Sequence, residues 1–150
     1  MKLVPVTEAV GMVLGHDVTE IVPGRFKGPA FRRGHVIRQE DVSRFRDLGK
    51  ENIAALDLGP GWVHEDDAAL RLATAAAGAG ISLSPPSEGK VNLVASRAGL
   101  LRIEVATLNR INSEPEIMMA TLHSNRMVEE GQVVAGTRII PLTIRDRAIE

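Results

Sequence analysis

Four cations, Arg25, Lys27, Arg32 and Arg33, fall within nine residues of one another along a stretch punctuated by Pro23-Gly24 and Gly28-Pro29. Both dipeptides predict turns, so residues 22–30 read as a basic loop. Glycine lets a ligand approach backbone N–H groups, and arginine offers a planar fork for oxyanions. Arg25, Lys27, Gly28 and Arg32 are therefore candidate anion ligands. The plain alternative is a solvated basic loop. A second cluster, His64-Glu65-Asp66-Asp67, opens a predicted helix. Its side chains could bind a metal or another ligand, but successive helical residues diverge, and HExxH is absent because position 68 is Ala. The alternative is helix capping, in which acidic residues suit the positive end of the macrodipole. A metal hydrolase built on His64, Glu65, Asp67 and His123 is a weaker option. His16 and Asp17 are neighbours in a predicted strand and point to opposite faces, so they do not form a base and its orienting acid. No G-x-G-x-x-G, Walker A or G-x-S-x-G pattern occurs. No catalytic residue and no metal set is assigned.

The elements that would carry these residues alternate between short strands and short helices. Residues 2–6 predict a strand, and Thr7 caps one turn, Glu8–Val10, that Gly11 ends. Met12–Ile21 predicts a strand with a bulge at Gly15. After a strand over Phe31–Ile37, Val42, Phe45 and Leu48 recur every three residues in a helix over Gln39–Leu48, with Gly49 beyond its end. Ile53–Leu58 predicts a buried strand, and Gly59-Pro60-Gly61 marks a lobe boundary. A helix over Asp66–Ala77 presents an apolar face of small residues, Ala69, Leu72, Ala73 and Ala76. Ser84–Gly89 predicts an irregular turn. Val91, Leu93 and Ala95 then alternate as a strand, and Arg97-Ala98-Gly99 predicts a hairpin continued by Leu100 and Ile103. A helix over Ala106–Ile111 is broken at Pro115. Glu116–Leu122 predicts a strand buried on both sides at Met118 and Met119. Met127-Val128 and Gln132–Ala135 predict a hairpin, and Gly136–Ile144 an edge strand interrupted by Pro141. The fold class expected is α+β, mostly antiparallel, with three to four short helices in two small lobes. The first spans 1–58. The second, 62–145, is β-rich and barrel- or clip-like, and 146–150 is a frayed charged tail.

Composition narrows the function classes. At 150 residues the chain can bury a core without disulfides, and it has no Cys to form them. A net charge of −1 gives no overall field for nucleic acid or an acidic membrane. The aromatics are only Phe26, Phe31, Phe45 and Trp62, too few for a base-stacking platform. No apolar run approaches the roughly 18 residues of a membrane span, and no signal-peptide pattern opens the chain. A cytoplasmic protein is expected.

Several motifs carry a family resemblance. The run Glu8–Val18, continued through Phe31–Val42, Leu48-Gly49 and the Ile53–Leu58 strand, resembles the opening of molybdopterin molybdotransferases. The loop GRFKGPAF (Gly24–Phe31), the helix HEDDAALRLA (His64–Ala73) and the segment ATLHSN (Ala120–Asn125) resemble the N-terminal part of bacterial molybdopterin-binding proteins. The resemblance covers essentially all of the chain. It implies an accessory or N-terminal domain in molybdenum cofactor biosynthesis or handling, with molybdopterin or molybdate as ligand. It adds His123 and Asn125 to the candidate ligand residues, beside Arg25, Lys27, Gly28, Arg32, His64, Glu65 and Asp67. It also implies a partner, a pterin-binding α/β domain or subunit whose phosphate-binding glycine turns these 150 residues lack. The Ser-Ala-Met-Asp-Gly-Tyr-like loop of the molybdotransferases is absent too, where Arg25–Phe31 stands. The alternative is a non-catalytic protein-interaction or oligomerisation domain, including a homo-oligomer.

Overall fold

The computed structural model describes residues 2–22 and 24–150. Pro23, half of the predicted Pro23-Gly24 turn, lies outside them. The fold is mixed α+β, and every described strand pair is antiparallel. The chain divides into two units, Met1–Pro60 and Gly61–Glu150. The boundary falls at the Gly59-Pro60-Gly61 punctuation.

The first unit contains β1 (Lys2–Pro5), β2 (Val13–Leu14), β3 (Val18–Val22), β4 (Phe26–Phe31), α1 (Asp41–Asp47) and β5 (Asn52–Leu56). β5 lies between β1 and β2 in a three-stranded sheet. The predicted Met12–Ile21 strand is split at Gly15-His16-Asp17 into β2 and β3. Asp17 there accepts a hydrogen bond from the Arg33 N–H at 2.7 Å. α1 buries Val42 and Phe45, the latter stacked on Phe31 with ring centroids 4.1 Å apart. Around them close Val6, Leu14, Val18, Ile37 and Ile53. The helix ends in a Schellman motif: the Gly49 and Lys50 amides donate to the Arg46 and Phe45 carbonyls at 2.8 and 2.9 Å.

The basic stretch departs from the expected loop. β3 and β4 pair as a two-stranded ribbon, with Lys27 opposite Ile21 and Gly28 opposite Glu20. Gly28-Pro29 is thus strand, not turn. A proline is tolerated because, among the described strands, β4 has no second partner needing its missing N–H.

The second unit runs β6 (Trp62–His64), α2 (Glu65–Ala76), β7 (Ile81–Leu83), β8 (Lys90–Ala95), β9 (Gly99–Leu101), α3 (Val105–Ile111), β10 (Ile117–Thr121), β11 (Arg126–Val128), β12 (Val133–Ile139) and β13 (Thr143–Arg145). Its main sheet has the order β10-β12-β8-β7, with β9–β11 and β6–β13 as separate pairs. The described strands close no barrel. α2 buries Ala68, Ala69 and Ala73 in a core that includes Val91, Leu93, Ala135 and Ile139. Gly89 seals one end. Its N–H donates to Asp66 at 2.8 Å, its carbonyl accepts from the Ile139 N–H at 2.8 Å, and a Cβ there would stand 2.7 Å from the Ile139 oxygen.

Five other expectations are corrected. β9 pairs with β11 rather than folding back on β8, and β12 pairs with β10 and β8 rather than with β11. Both predicted hairpins are therefore replaced by non-local pairings. Met119 is buried but Met118 is 49% exposed, because only one face of β10 meets the core. β12 is an interior strand, and Pro141 lies beyond its end. Most of the tail is folded onto the second unit. Asp146–Ala148 makes a 3-10 turn, Asp146 pairs with Arg71 at 2.6 Å, and Ala148 and Ile149 pack on the core. No described helix is long and apolar enough to cross a membrane.

Candidate functional site

The second unit contains a half-open cleft of about 730 Å³ at the C-terminal end of α2. It arises where the helix stops before the sheet does. α2 covers β8 and β12 with alanines, then ends, leaving Ala76 exposed at the cleft edge. The floor includes Leu93, Ala95, Leu101, Met119, Val134 and Ala135. The far wall is α3 with the segment before it. α3 buries no residue fully, but Leu108 and Ile111 pack against the core, and hydrogen bonds fix its ends. Asn112 grips the free edge of β10, donating to the Met119 carbonyl at 2.9 Å and accepting the Met119 N–H at 2.8 Å. The Ile103 N–H donates to Ser124 Oγ at 2.9 Å. The wall is thereby anchored at both ends.

Charged groups stand at the mouth. Arg97, Arg102 and Glu104 line the cleft together with Thr107 and Thr121. Arg97 crosses Gly80, where a Cβ would come 3.1 Å from the guanidinium Nε. Among the described residues no ion pair engages Arg97 or Arg102. Glu104 differs, because it caps α3, accepting the Thr107 N–H at 2.6 Å. The Thr107 hydroxyl and then its amide hold this carboxyl below the usual glutamate range. The cleft thus combines an apolar interior with two uncommitted cations and one committed anion, the usual make-up of a small-molecule site.

The residues singled out from sequence lie elsewhere. Arg25, Lys27, Gly28 and Arg32 belong to the β3–β4 ribbon of the first unit and the residue after it. Arg25, Lys27 and Arg32 are exposed. Helix α1 braces this ribbon through an Arg44–Glu20 pair at 2.6 Å. In the second unit His64 and Glu65 are buried, and Asp67 is exposed. His64 caps α2 by accepting the Asp66 N–H at Nδ1, 3.2 Å. His123 and Asn125 are exposed beyond β10, where Asn125 has φ +62° and donates its N–H to Leu101 at 2.7 Å. Glu65 sits by Gly89 and Ile139, whereas Leu122 is bonded to Val134. At about 3.4 Å per residue along β12, the two groups are roughly 15–20 Å apart. The set His64, Glu65, Asp67 and His123 is therefore not gathered, and no group of three described His, Asp or Glu side chains forms a metal set.

Sequence reasoning missed Arg97 and Arg102. The available signal was two cations flanking an apolar Gly-Leu-Leu run, and it was absorbed into the predicted hairpin. It also missed a His–Asp pair in the first unit. His35 Nε2 and Asp41 Oδ2 are 2.7 Å apart, and the Arg38 N–H donates to the same oxygen at 2.8 Å. Burial works against the Asp41 charge, but the His35 and Arg38 hydrogen bonds and the attraction of both residues outweigh it, so its pKa lies below the ordinary value.

Comparison with known proteins bears on the first unit. A family model described as a domain of unknown function (DUF8806) matches residues 3–57. The match ends within three residues of the unit boundary at Pro60. Neither a curated protein nor a solved structure matches the chain.

Proposed function

We propose that this chain is a non-catalytic binding module of the cytoplasm that serves molybdenum cofactor biosynthesis or handling. The cleft of the second unit carries the binding part of this reading: it has the volume and apolar lining of a small-molecule site. The sequence resemblance supplies the pathway, the ligand class (molybdopterin or molybdate) and the partner, a pterin-binding α/β domain or subunit. A thermal-shift titration with a pterin phosphate, molybdate, phosphate and sulfate tests it. At about 100 times its Kd a ligand adds ~2.7 kcal/mol, or roughly 5–10 °C here. The expected result is a shift with the pterin phosphate that Ala76→Trp, which fills the mouth, removes. A molybdate shift lost in Lys27→Ala would move an inorganic anion to the ribbon. No shift with either ligand overturns the pathway reading.

The alternative, an interaction or oligomerisation domain, is favoured by exposed apolar side chains of the second unit, Met118, Val133 and Ile140. Sedimentation as a monomer at every concentration tried would count against self-association.

A further inference from the structure

We propose that the cleft selects organic acids: Arg97 and Arg102 hold an anionic group at its mouth while an apolar body fills the space beneath. This rests on the reading that the cleft takes a ligand, and it names the chemistry that decides which ligand. Three observations meet here. The floor, from Leu93 to Ala135, offers apolar side chains, so a ligand's body gains by leaving water rather than by polar matching. The polar groups of the lining include two guanidiniums, and neither is neutralised by an ion pair among the described residues. A guanidinium without a partner beside an apolar cleft is a ready fork for a carboxylate, sulfonate or phosphate. The one acid at the rim, Glu104, is turned to the Thr107 amide, so it caps the helix wall rather than pairing with either arginine. With Arg97 and Arg102 at +1 each and Glu104 at −1, the rim keeps a net positive charge. Gly80 is part of the device: it leaves open the surface over which the Arg97 side chain runs.

The test uses two fluorescent probes of similar apolar body, the anionic 8-anilinonaphthalene-1-sulfonate and the neutral N-phenyl-1-naphthylamine, on the full chain. The expected result is saturable binding of the sulfonate that tightens at low salt. Replacing both arginines, Arg97→Gln with Arg102→Gln, should weaken it about fivefold to tenfold, while the neutral probe changes less than twofold. Ala76→Trp should block both probes, which excludes binding elsewhere on the surface. Circular dichroism checks that each variant is folded. Dodecanoate and 1-naphthyl phosphate as displacers then separate a chain-bodied acid from a ring-bodied one. If both probes bind equally and the arginine variant changes neither, the acid selectivity is wrong although the cleft binds. If neither probe binds, the cleft reading fails and this inference falls with it. Failure of both displacers against bound sulfonate also overturns the assignment to organic acids.

Discussion

At the scale of single residues, the His35–Asp41 pair is the clearest electrostatic device of the first unit. It ties the segment after β4 to the first turn of α1, and Asp41 also receives the Arg38 amide. Its folded pKa is depressed below 3.8, despite the opposing effect of burial. A carboxylate depressed on folding stabilises the protein fully above its unfolded pKa. That contribution is lost as pH falls through the lower folded value. Asp41→Asn should therefore cost about 1–2 kcal/mol near neutral pH, and the gap to wild type should close towards pH 3. Urea unfolding followed by circular dichroism at both pH values checks this. An equal gap at the two would mean that the Asp41 charge contributes nothing. The pair was not legible in the sequence, because His35 and Asp41 are six residues apart and meet only through the turn at residues 38–41, where the Asp41 amide bonds the Arg38 carbonyl at 3.1 Å.

At the scale of elements, legibility followed locality. α1, α2 and α3 were readable within two residues of their ends, because caps and apolar spacing are local signals. The alternation of Val91, Leu93 and Ala95 likewise marked β8. Strand partners were not readable. β9 and β11 looked like halves of two hairpins, yet they pair with each other across α3 and β10. The cleft depends on that crossing, since α3, which forms its far wall, lies in the chain between the two paired strands. The candidate site was thus hidden by the same non-local pairing, and its apolar lining looks like any other core. α3 is a short helix that meets the core only through the partly buried Leu108 and Ile111, so its cap carries weight. Glu104→Ala removes the acceptor of the Thr107 amide, whereas Glu104→Gln retains an oxygen there. The expected outcome is faster hydrogen exchange at Thr107 and Leu108 in the alanine variant, with a smaller change in the glutamine variant. Because the folded Glu104 pKa is lowered, the wild-type cap should weaken as pH falls through a value below 4.5. Unchanged exchange in Glu104→Ala would show that Asn112, Ser124 and the packing of Leu108 and Ile111 hold the wall without the cap.

At the scale of the whole molecule, the two-unit division was visible in one glycine-proline-glycine mark, and the family match ending at residue 57 follows it. The division has a consequence for binding. Every lining residue of the cleft falls between Ala75 and Ala135, inside the second unit. That unit has its own core, from Ala68 to Ile149, and its first and last strands are joined as the β6–β13 pair. The pair is clasped by Arg145 lying 4.1 Å over the Trp62 ring. A piece comprising residues 61–150 is large enough to fold without disulfides. It should unfold cooperatively, reported by its one tryptophan, Trp62. It should also bind 8-anilinonaphthalene-1-sulfonate within about twofold of the full chain, since no lining side chain is removed with residues 1–60. Fluorescence titration of the two forms side by side is the measurement. A folded piece that has lost the probe would overturn the placement of the whole site within the second unit.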